Sequence, residues 1–163
     1  MWPFGRREPR STTQKLRAGT QALVRGDYPG AVQWLSDVVA DRPEDIRALL
    51  SLGTAYHHLE QHSRALELFE RVTSLHPTNA EAWLSIAAAR ISLGHLLKAE
   101  EALNKVVAIG AHFPDIHYSL AVVKLRLGRP LEALAELELQ MANNPRHADA
   151  RELLTKLRAQ VVH

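Results

Sequence analysis

A 34-residue period is the feature that most constrains the fold of this chain, because it extends over most of the 163 residues. One position of the period holds alanine in four successive copies, Ala31, Ala65, Ala99 and Ala133. Four places later stands a large apolar residue, Leu35, Phe69, Leu103 or Leu137, and three places further on Val38, Val72, Val106 or Gln140. Since several residue types agree on one spacing, the period predicts an array of structural repeats.

Each block of the period has the pattern of two amphipathic helices joined by a tight turn. In the second block, apolar residues recur at spacings of three and four from Leu49 to Tyr56, and again from Ala65 to Val72. Glycine marks the turn in three blocks and proline marks the end of the second helix in three, because glycine easily adopts the backbone conformation that ends a helix and proline cannot continue one. These residues are Gly26, Gly94 and Gly128 at the turn, and Pro43, Pro77 and Pro145 at the helix end.

Small residues recur where the two helices of a block are expected to touch. The first helix carries Gly19, Gly53, Ala87 or Ala121, and the second carries the alanine that defines the period. Such residues allow two helix backbones to approach closely, while the large apolar residue four places after the alanine fills the space beside them. The pattern therefore predicts that each block is a tightly packed helical hairpin.

These features together resemble the tetratricopeptide repeat family. Trp83 matches the tryptophan that opens a repeat of this family, and Phe69 matches its phenylalanine. Tyr28 and Tyr56 match its two tyrosine positions. The resemblance implies an all-α fold, a right-handed α-solenoid of four helix-turn-helix repeats and a C-terminal capping helix. The implied repeats are residues 12–45, 46–79, 80–113 and 114–147, forming one domain over 12–147, and the capping helix is 148–163.

Two blocks depart from the family pattern. The first has Lys15 in the tryptophan position and Ala22 in a tyrosine position, which predicts a weak terminal repeat with a shortened or frayed first helix. The third has Arg90 in a tyrosine position and Ala111 in the proline position, with Pro114 three residues later. The boundary between the third and fourth blocks is therefore expected to be irregular.

The resemblance also implies a function, that of a non-catalytic adaptor or scaffold. Members of the family bind a helical or extended segment of another protein in a concave groove lined by the first helices of the repeats. The positions that face such a ligand correspond here to Arg17, Thr20, Arg47, Leu50, Ser51, Thr54, His57, His58, Leu84, Ser85, Ala88, Tyr118, Ser119, Val122 and Arg126. The basic clamp with which some members hold chaperone tails is absent, so this small and apolar lining favours an apolar partner segment.

Two alternative functions follow from other features. A weak first repeat would expose apolar surface that a second copy covers, so the chain could be a self-assembling structural subunit. Residues 1–11, expected to be a disordered or partner-binding segment, begin with Trp2-Pro3-Phe4 and continue with arginines. Such a segment could anchor a membrane-peripheral assembly factor, although three apolar residues bury little area and membrane contact is disfavoured.

Composition excludes several other classes. The chain has 20 basic and 18 acidic residues, a net charge of +2, which argues against a nucleic-acid partner. It has no cysteine, so it has neither disulfides nor thiolate chemistry. No stretch approaches the roughly 18 apolar residues of a membrane span, and no phosphate loop or nucleophile motif is present. We therefore expect a cytoplasmic protein that is not an enzyme and needs no cofactor.

Nine histidines are many for this length, and three of them, His57, His58 and His62, are close together in the second block. The spacing of four between His58 and His62 is a metal-ligand spacing on a continuous helix. Here the predicted turn between the helices interrupts it, and no nearby carboxylate completes a ligand set. The sequence therefore predicts no metal site.

Overall fold

The computed structural model describes residues 11–161, and within that range the chain forms nine α-helices and no strand. The helices are α1 (Thr12–Val24), α2 (Tyr28–Asp41), α3 (Ile46–His58), α4 (His62–Leu75), α5 (Ala80–Ser92), α6 (Leu96–Ile109), α7 (Ile116–Arg126), α8 (Pro130–Asn143) and α9 (Ala148–Val161). The predicted all-α fold is confirmed. The helices pack in pairs as α1 with α2, α3 with α4, α5 with α6, and α7 with α8.

The chain divides between Pro77 and Thr78 into two compact units. In the first unit α1 packs against α2, α3 packs against α4, and α3 also contacts α1 and α2. In the second unit each helix from α5 to α8 packs against the helix that follows it. The division falls close to the predicted boundary between the second and third blocks. In a repeat array each repeat contacts only its neighbours, so a division at a boundary between blocks is expected.

The periodic small residues lie where the two helices of a hairpin approach most closely. Ala31, Ala65, Ala99 and Ala133 are all fully buried. A methyl group added at Gly53 would lie 2.5 Å from Cε1 of Phe69, and one added at Gly19 would lie 2.5 Å from Cγ of Leu35. Glycine at these two positions is therefore required by the large side chain that the facing helix packs against it.

All four turns between paired helices use the same backbone motif. The amide of Asp27 donates to the carbonyl of Ala22 at 2.9 Å, and the amide of Gly26 donates to Leu23 at 3.0 Å. These two bonds satisfy the last carbonyl groups of α1 and require a left-handed residue, here Gly26 with φ of 76°. The second block has Glu60 at this position, and it adopts the same conformation with φ of 60°. The turn therefore forms there without glycine.

The second helices end in two ways, according to whether proline follows. The residues after α2, α4 and α8, namely Arg42, His76 and Asn144, have φ near −135° and precede Pro43, Pro77 and Pro145. Proline disfavours the helical conformation in the residue before it, which explains these ends. Helix α6 has no such proline and stops at Gly110, whose φ is 75°. The boundary after the third block is thus irregular, as expected, and α7 begins only at Ile116.

The first helix is stronger than the sequence predicts, and the expectation of a short or frayed α1 is wrong. Helix α1 has 13 residues, the same length as α3 and α5. Ser11 and Gln14 form a reciprocal capping box at its start, which satisfies two exposed amides. Lys15 in the tryptophan position forms an ion pair of 2.6 Å with Asp37 of α2, and Thr12 donates to Asp41 at 2.9 Å.

Helix α7 is the short one, with 11 residues, and it is capped from another helix. In α1, α3 and α5 the residue before the helix accepts a hydrogen bond from the third helical amide, but Asp115 does not do so in α7. Instead Gln140 of α8 accepts from the amide of Tyr118 at 3.1 Å and donates to the carbonyl of Pro114 at 2.7 Å. Gln140 is fully buried, and it occupies the position that is valine in the other three blocks.

Helix α9 covers the end of the fourth hairpin. It buries Ala150, Leu154 and Leu157 against Ala121, Ala133 and Leu137, and its charged residues are exposed. His147 caps its start, since Nδ1 accepts from the amide of Ala150 at 3.0 Å. The other ring nitrogen, Nε2, lies 3.2 Å from Oδ1 of Asp115. This arrangement agrees with a capping helix that shields an apolar face.

Replacing His147 by alanine should lower the free energy of unfolding by about 1 kcal/mol, because the third amide of α9 loses its partner. His147→Asn should recover part of this loss, since asparagine is a good helix cap. Thr155→Ala, at an exposed position of the same helix, should change the stability by less than about 0.5 kcal/mol. Urea denaturation of the three variants measures these differences. An alanine variant as stable as the wild type would contradict the capping role.

Candidate functional site

The candidate binding residues lie on the first helices, on the sides that the hairpins leave uncovered. On α3, the buried positions are Ala48, Leu49, Leu52, Gly53 and Ala55. The candidate positions of α3 fall between them and lie on the other side of the helix. They are Arg47, Leu50, Ser51, Thr54, His57 and His58. Helices α5 and α7 divide in the same manner between a buried and an accessible side.

None of the fifteen candidate residues is buried, so each is accessible to a ligand. Five are exposed, namely Arg17, Arg47, His58, Ala88 and Arg126. Ten are half-buried, namely Thr20, Leu50, Ser51, Thr54, His57, Leu84, Ser85, Tyr118, Ser119 and Val122. Half-buried apolar side chains are held in place by their own fold and still present surface, which is what a preformed docking face needs.

The threonines of the first unit present apolar rather than polar surface. The hydroxyl of Thr20 donates to the carbonyl of Leu16 at 3.0 Å, and that of Thr54 donates to Leu50 at 2.9 Å. Each hydroxyl is thus satisfied within its own helix. With their hydroxyls bonded to their own helices, these side chains offer methyl groups, in agreement with the apolar lining that the sequence predicts.

Charge distinguishes the candidate residues of the two units. In the first unit Arg17 and Arg47 are exposed cations, and none of the eight candidate residues on α1 and α3 is acidic. In the second unit the only charged candidate residue is Arg126. The first unit is therefore suited to a partner segment with carboxylates beside its apolar side chains, because opposite charges favour encounter and register.

The three clustered histidines lie at the turn between α3 and α4, and they pair differently from the expectation. His62 contacts His57 rather than His58, with their Nδ1 atoms 3.2 Å apart. His58 stacks on Tyr28 of α2, with ring centroids 4.4 Å apart and planes at 6°. Burial lowers the pKa of His57, and the neighbouring His62 and His58 lower it further. His57 therefore favours its neutral form.

In the second unit, Tyr118 connects the candidate face to α9. Its ring lies 4.8 Å from the ring of His147, and it packs against the cluster that α9 completes. Helix α9 begins 34 residues after the start of the fourth block, so it stands where the first helix of a further repeat would stand. Its half-buried Leu153 extends the accessible apolar surface, a contribution that the sequence reading did not include among the site residues.

A half-buried network of charged side chains joins α7 to α8. Glu136 of α8 accepts from Nζ of Lys124 at 2.9 Å and lies 2.8 Å from Nδ1 of His117. Burial of Lys124 opposes its charge, but the hydrogen bond and charge of Glu136, with Glu132 and Glu100, outweigh burial and raise its pKa. These side chains are engaged with one another, so we regard them as structural support for α7 and α8.

The irregular boundary before α7 opens a cavity that sequence reasoning missed. It has a volume of about 340 Å³, and its lining includes Val107, Phe113, His117 and Asn143. The cavity exists because α6 stops at Gly110 and α7 starts late, so that residues between them form a loop instead of a tight connection. The only signal in the sequence was the displaced proline.

Metal and membrane features are limited in the described part of the chain. Among residues 11–161, no group of three or more histidine or carboxylate side chains is placed to hold a metal ion. No helix in that range is long and apolar enough to cross a membrane. The proposed anchor Trp2-Pro3-Phe4 lies outside the described residues, so its role stays a prediction.

Comparison with known proteins agrees with this architecture. The sequence profile of the tetratricopeptide repeat matches residues 22–83 and 59–112, which is more than half of the chain. None of the curated proteins compared with the chain matches it.

Among solved structures, the MamA protein is similar over 93% of this chain and 86% of its own, with 24% identity and a TM-score of 0.83. TTC0263, a tetratricopeptide repeat protein of Thermus thermophilus, is similar over 93% and 84%, with 23% identity and a TM-score of 0.74. A chain of the APC/C hetero-tetramer Cut9–Hcn1 is similar over 90% of this chain and 30% of its own, with 22% identity and a TM-score of 0.79. At these identities the likeness concerns the fold alone.

Proposed function

The chain belongs to the tetratricopeptide repeat family, and from this premise we propose that it is a non-catalytic adaptor that binds a helical or extended segment of a partner protein. Each unit offers a docking surface on the accessible sides of its first helices, with Leu50 and Thr54 in the first unit and Leu84, Tyr118 and Val122 in the second. The observation that supports this most directly is that all fifteen candidate residues are accessible although their helices are otherwise packed. A cytoplasmic location is part of the proposal.

The character of the lining supports an apolar segment with acidic flanks. Half-buried leucine, valine and tyrosine side chains supply area that a partner covers. The hydroxyls of Thr20 and Thr54 are satisfied within their own helices, so an apolar segment can cover these two groups without leaving them unpaired. Arg17 and Arg47 then contribute to orientation rather than to most of the affinity.

Self-assembly, the competing hypothesis, has less support. Its basis in the sequence is a weak first repeat with Lys15 in an apolar position. Lys15 instead pairs with Asp37, and α1 is a full-length, well-capped helix. Light scattering over a wide concentration range distinguishes the two functions, because an adaptor of this kind should keep a monomer mass in the absence of its partner.

A glutamate on the proposed docking surface should weaken partner binding by at least about tenfold, because an apolar partner segment that covers the introduced carboxylate removes it from water; tenfold corresponds to about 1.4 kcal/mol. The variants are Leu50→Glu in the first unit and Leu84→Glu in the second. Peptides of about 20 residues selected from a random displayed library against the wild-type chain serve as the probe, and calorimetry measures their affinity.

Leu131→Glu is the matched control, since Leu131 is 65% exposed on α8, a second helix. It should leave the affinity unchanged. Selected peptides that bind both Leu50→Glu and Leu84→Glu as tightly as the wild type would place the docking surface elsewhere. Loss of binding only in Leu131→Glu would likewise place the docking surface elsewhere.

A further inference from the structure

The contact of His57 with His62 brings two ring nitrogens together at the turn between α3 and α4. His57 is the last residue but one of α3, and His62 is the first residue of α4. The intervening turn, with Glu60 in a left-handed conformation, brings the two rings to 4.8 Å between centroids with planes at 55°. The two Nδ1 atoms face each other at 3.2 Å.

The same distance fits two nitrogen ligands of one metal ion. With zinc–nitrogen bonds of about 2.0–2.1 Å, a nitrogen separation of 3.2 Å corresponds to an angle of roughly 99–106° at the metal. This is close to the tetrahedral angle that zinc adopts, and wider than the right angle of a square-planar copper or nickel site. Neutral imidazole nitrogen is a common zinc ligand.

We propose that Nδ1 of His57 and Nδ1 of His62 bind one Zn²⁺ ion, with the remaining coordination positions occupied by water. The described residues offer no third side chain, so the site is a two-histidine site that is open to solvent. Binding exchanges the hydrogen bond between the rings for two metal bonds, and no other side chain has to move to complete the set.

The third histidine of the cluster does not take part. His58 lies flat against Tyr28 at 4.4 Å, and its ring meets His57 edge-on at 6.2 Å. The stack fixes the ring away from the facing nitrogens, although His58 is adjacent to His57 in sequence. His58 therefore provides a control that removes a histidine from the same turn without removing a ligand.

Calorimetric titration of the full chain without an affinity tag, with Zn²⁺ at about pH 7.5 in a non-chelating buffer, tests the site, because histidine ligands must be neutral to bind metal. One ion per chain should bind to the wild type. His57→Asn and His62→Asn should each bind at least about tenfold more weakly, a loss of about 1.4 kcal/mol. Asparagine keeps a polar atom near the position of Nδ1, so the hydrogen bond can persist while the imidazole ligand is lost. His58→Asn should bind as the wild type does.

A measurement on the wild type alone guards against misfolded variants. Nitrogen-15 spectra of the histidine rings should show Zn²⁺ shifting Nδ1 of His57 and His62 and leaving His58 little changed. Co²⁺ in place of zinc should give the intense visible bands of tetrahedral coordination. Absence of heat in the wild type, equal affinity in His62→Asn, or Nδ1 shifts confined to other histidines would each overturn the site and leave the proposed docking function untouched.

Discussion

Phe69→Ala is expected to lower the free energy of unfolding by about 3–5 kcal/mol, because the phenyl ring fills the contact between α3 and α4. Phe69 is only 2% exposed, and three of its ring atoms would lie within 2.9 Å of a methyl group at Gly53. The ring thus lies directly against the backbone of the facing helix. Denaturation in urea, followed by circular dichroism, measures the loss.

Two comparisons make this result specific. Leu97→Ala removes a leucine that is 56% exposed on α6, and it should change the stability by less than about 0.5 kcal/mol. Gly53→Ala should itself destabilise by about 1–3 kcal/mol through overpacking, reduced by up to about 1 kcal/mol because alanine favours helix. A Phe69→Ala variant that loses less than about 1 kcal/mol would contradict the proposed packing.

The double variant Gly53→Ala with Phe69→Leu should cost less than the sum of the two single changes. Leucine vacates part of the space that the ring occupies, and the new methyl group occupies part of it. Contacting residues commonly couple by about 0.5–3 kcal/mol, so the deviation from additivity should be measurable. Strict additivity would mean that Gly53 and Phe69 are not in contact.

Local patterns were sufficient to predict the hairpins because their determinants repeat every 34 residues. Glycine at the turn, proline after the second helix and alanine at the helix contact each act within a few residues or across one hairpin. The structure has a helical pair within each predicted block, and α2, α4 and α8 each end just before a proline. The same reasoning found the irregular boundary near Pro114 from a single displaced proline.

Pairings between distant residues were beyond the reach of those patterns. Lys15 appeared to weaken α1, because nothing near it in sequence shows that Asp37, 22 residues later, compensates its charge. The contact of His62 with His57 depends on the path of a turn whose left-handed residue is glutamate, an unusual choice. Local sequence reasoning treats each helix separately, and these contacts join two.

The candidate docking surface shows both what the sequence could predict and what it could not. Its positions came from the family resemblance, and the structure places all of them on accessible sides of the first helices. The contribution of α9 was missed because its sequence indicated a cap, and a cap was assumed to be only a cover. Leu153 of α9 packs on the same cluster as Tyr118 and is half-buried, so it leaves some apolar surface accessible beside a candidate residue.

Gln140→Met is expected to destabilise the chain by about 1–3 kcal/mol, although methionine has nearly the same shape, because two part-buried backbone groups lose their hydrogen bonds to the side chain. These groups are the amide of Tyr118 and the carbonyl of Pro114. Each hydrogen bond contributes about 0.5–1.5 kcal/mol. Leu137→Met is the control, since Leu137 is fully buried on the same helix and a volume-conserving exchange costs less than about 1.5 kcal/mol. Urea denaturation compares the two variants, and equal losses would show that only shape matters at position 140.

Gln140→Glu separates the two hydrogen bonds by pH. A glutamate oxygen can still accept from the amide of Tyr118, but only a protonated carboxyl group can donate to the carbonyl of Pro114. Burial and this bond should both raise the pKa of the introduced carboxyl above its unfolded value of about 4.3. A raised pKa means that the stabilisation is complete below the unfolded pKa and is lost as pH rises through the folded one. The variant should therefore approach the wild type near about pH 4 and fall increasingly below it toward neutral pH, whereas a stability difference independent of pH would show that the donor to Pro114 is dispensable.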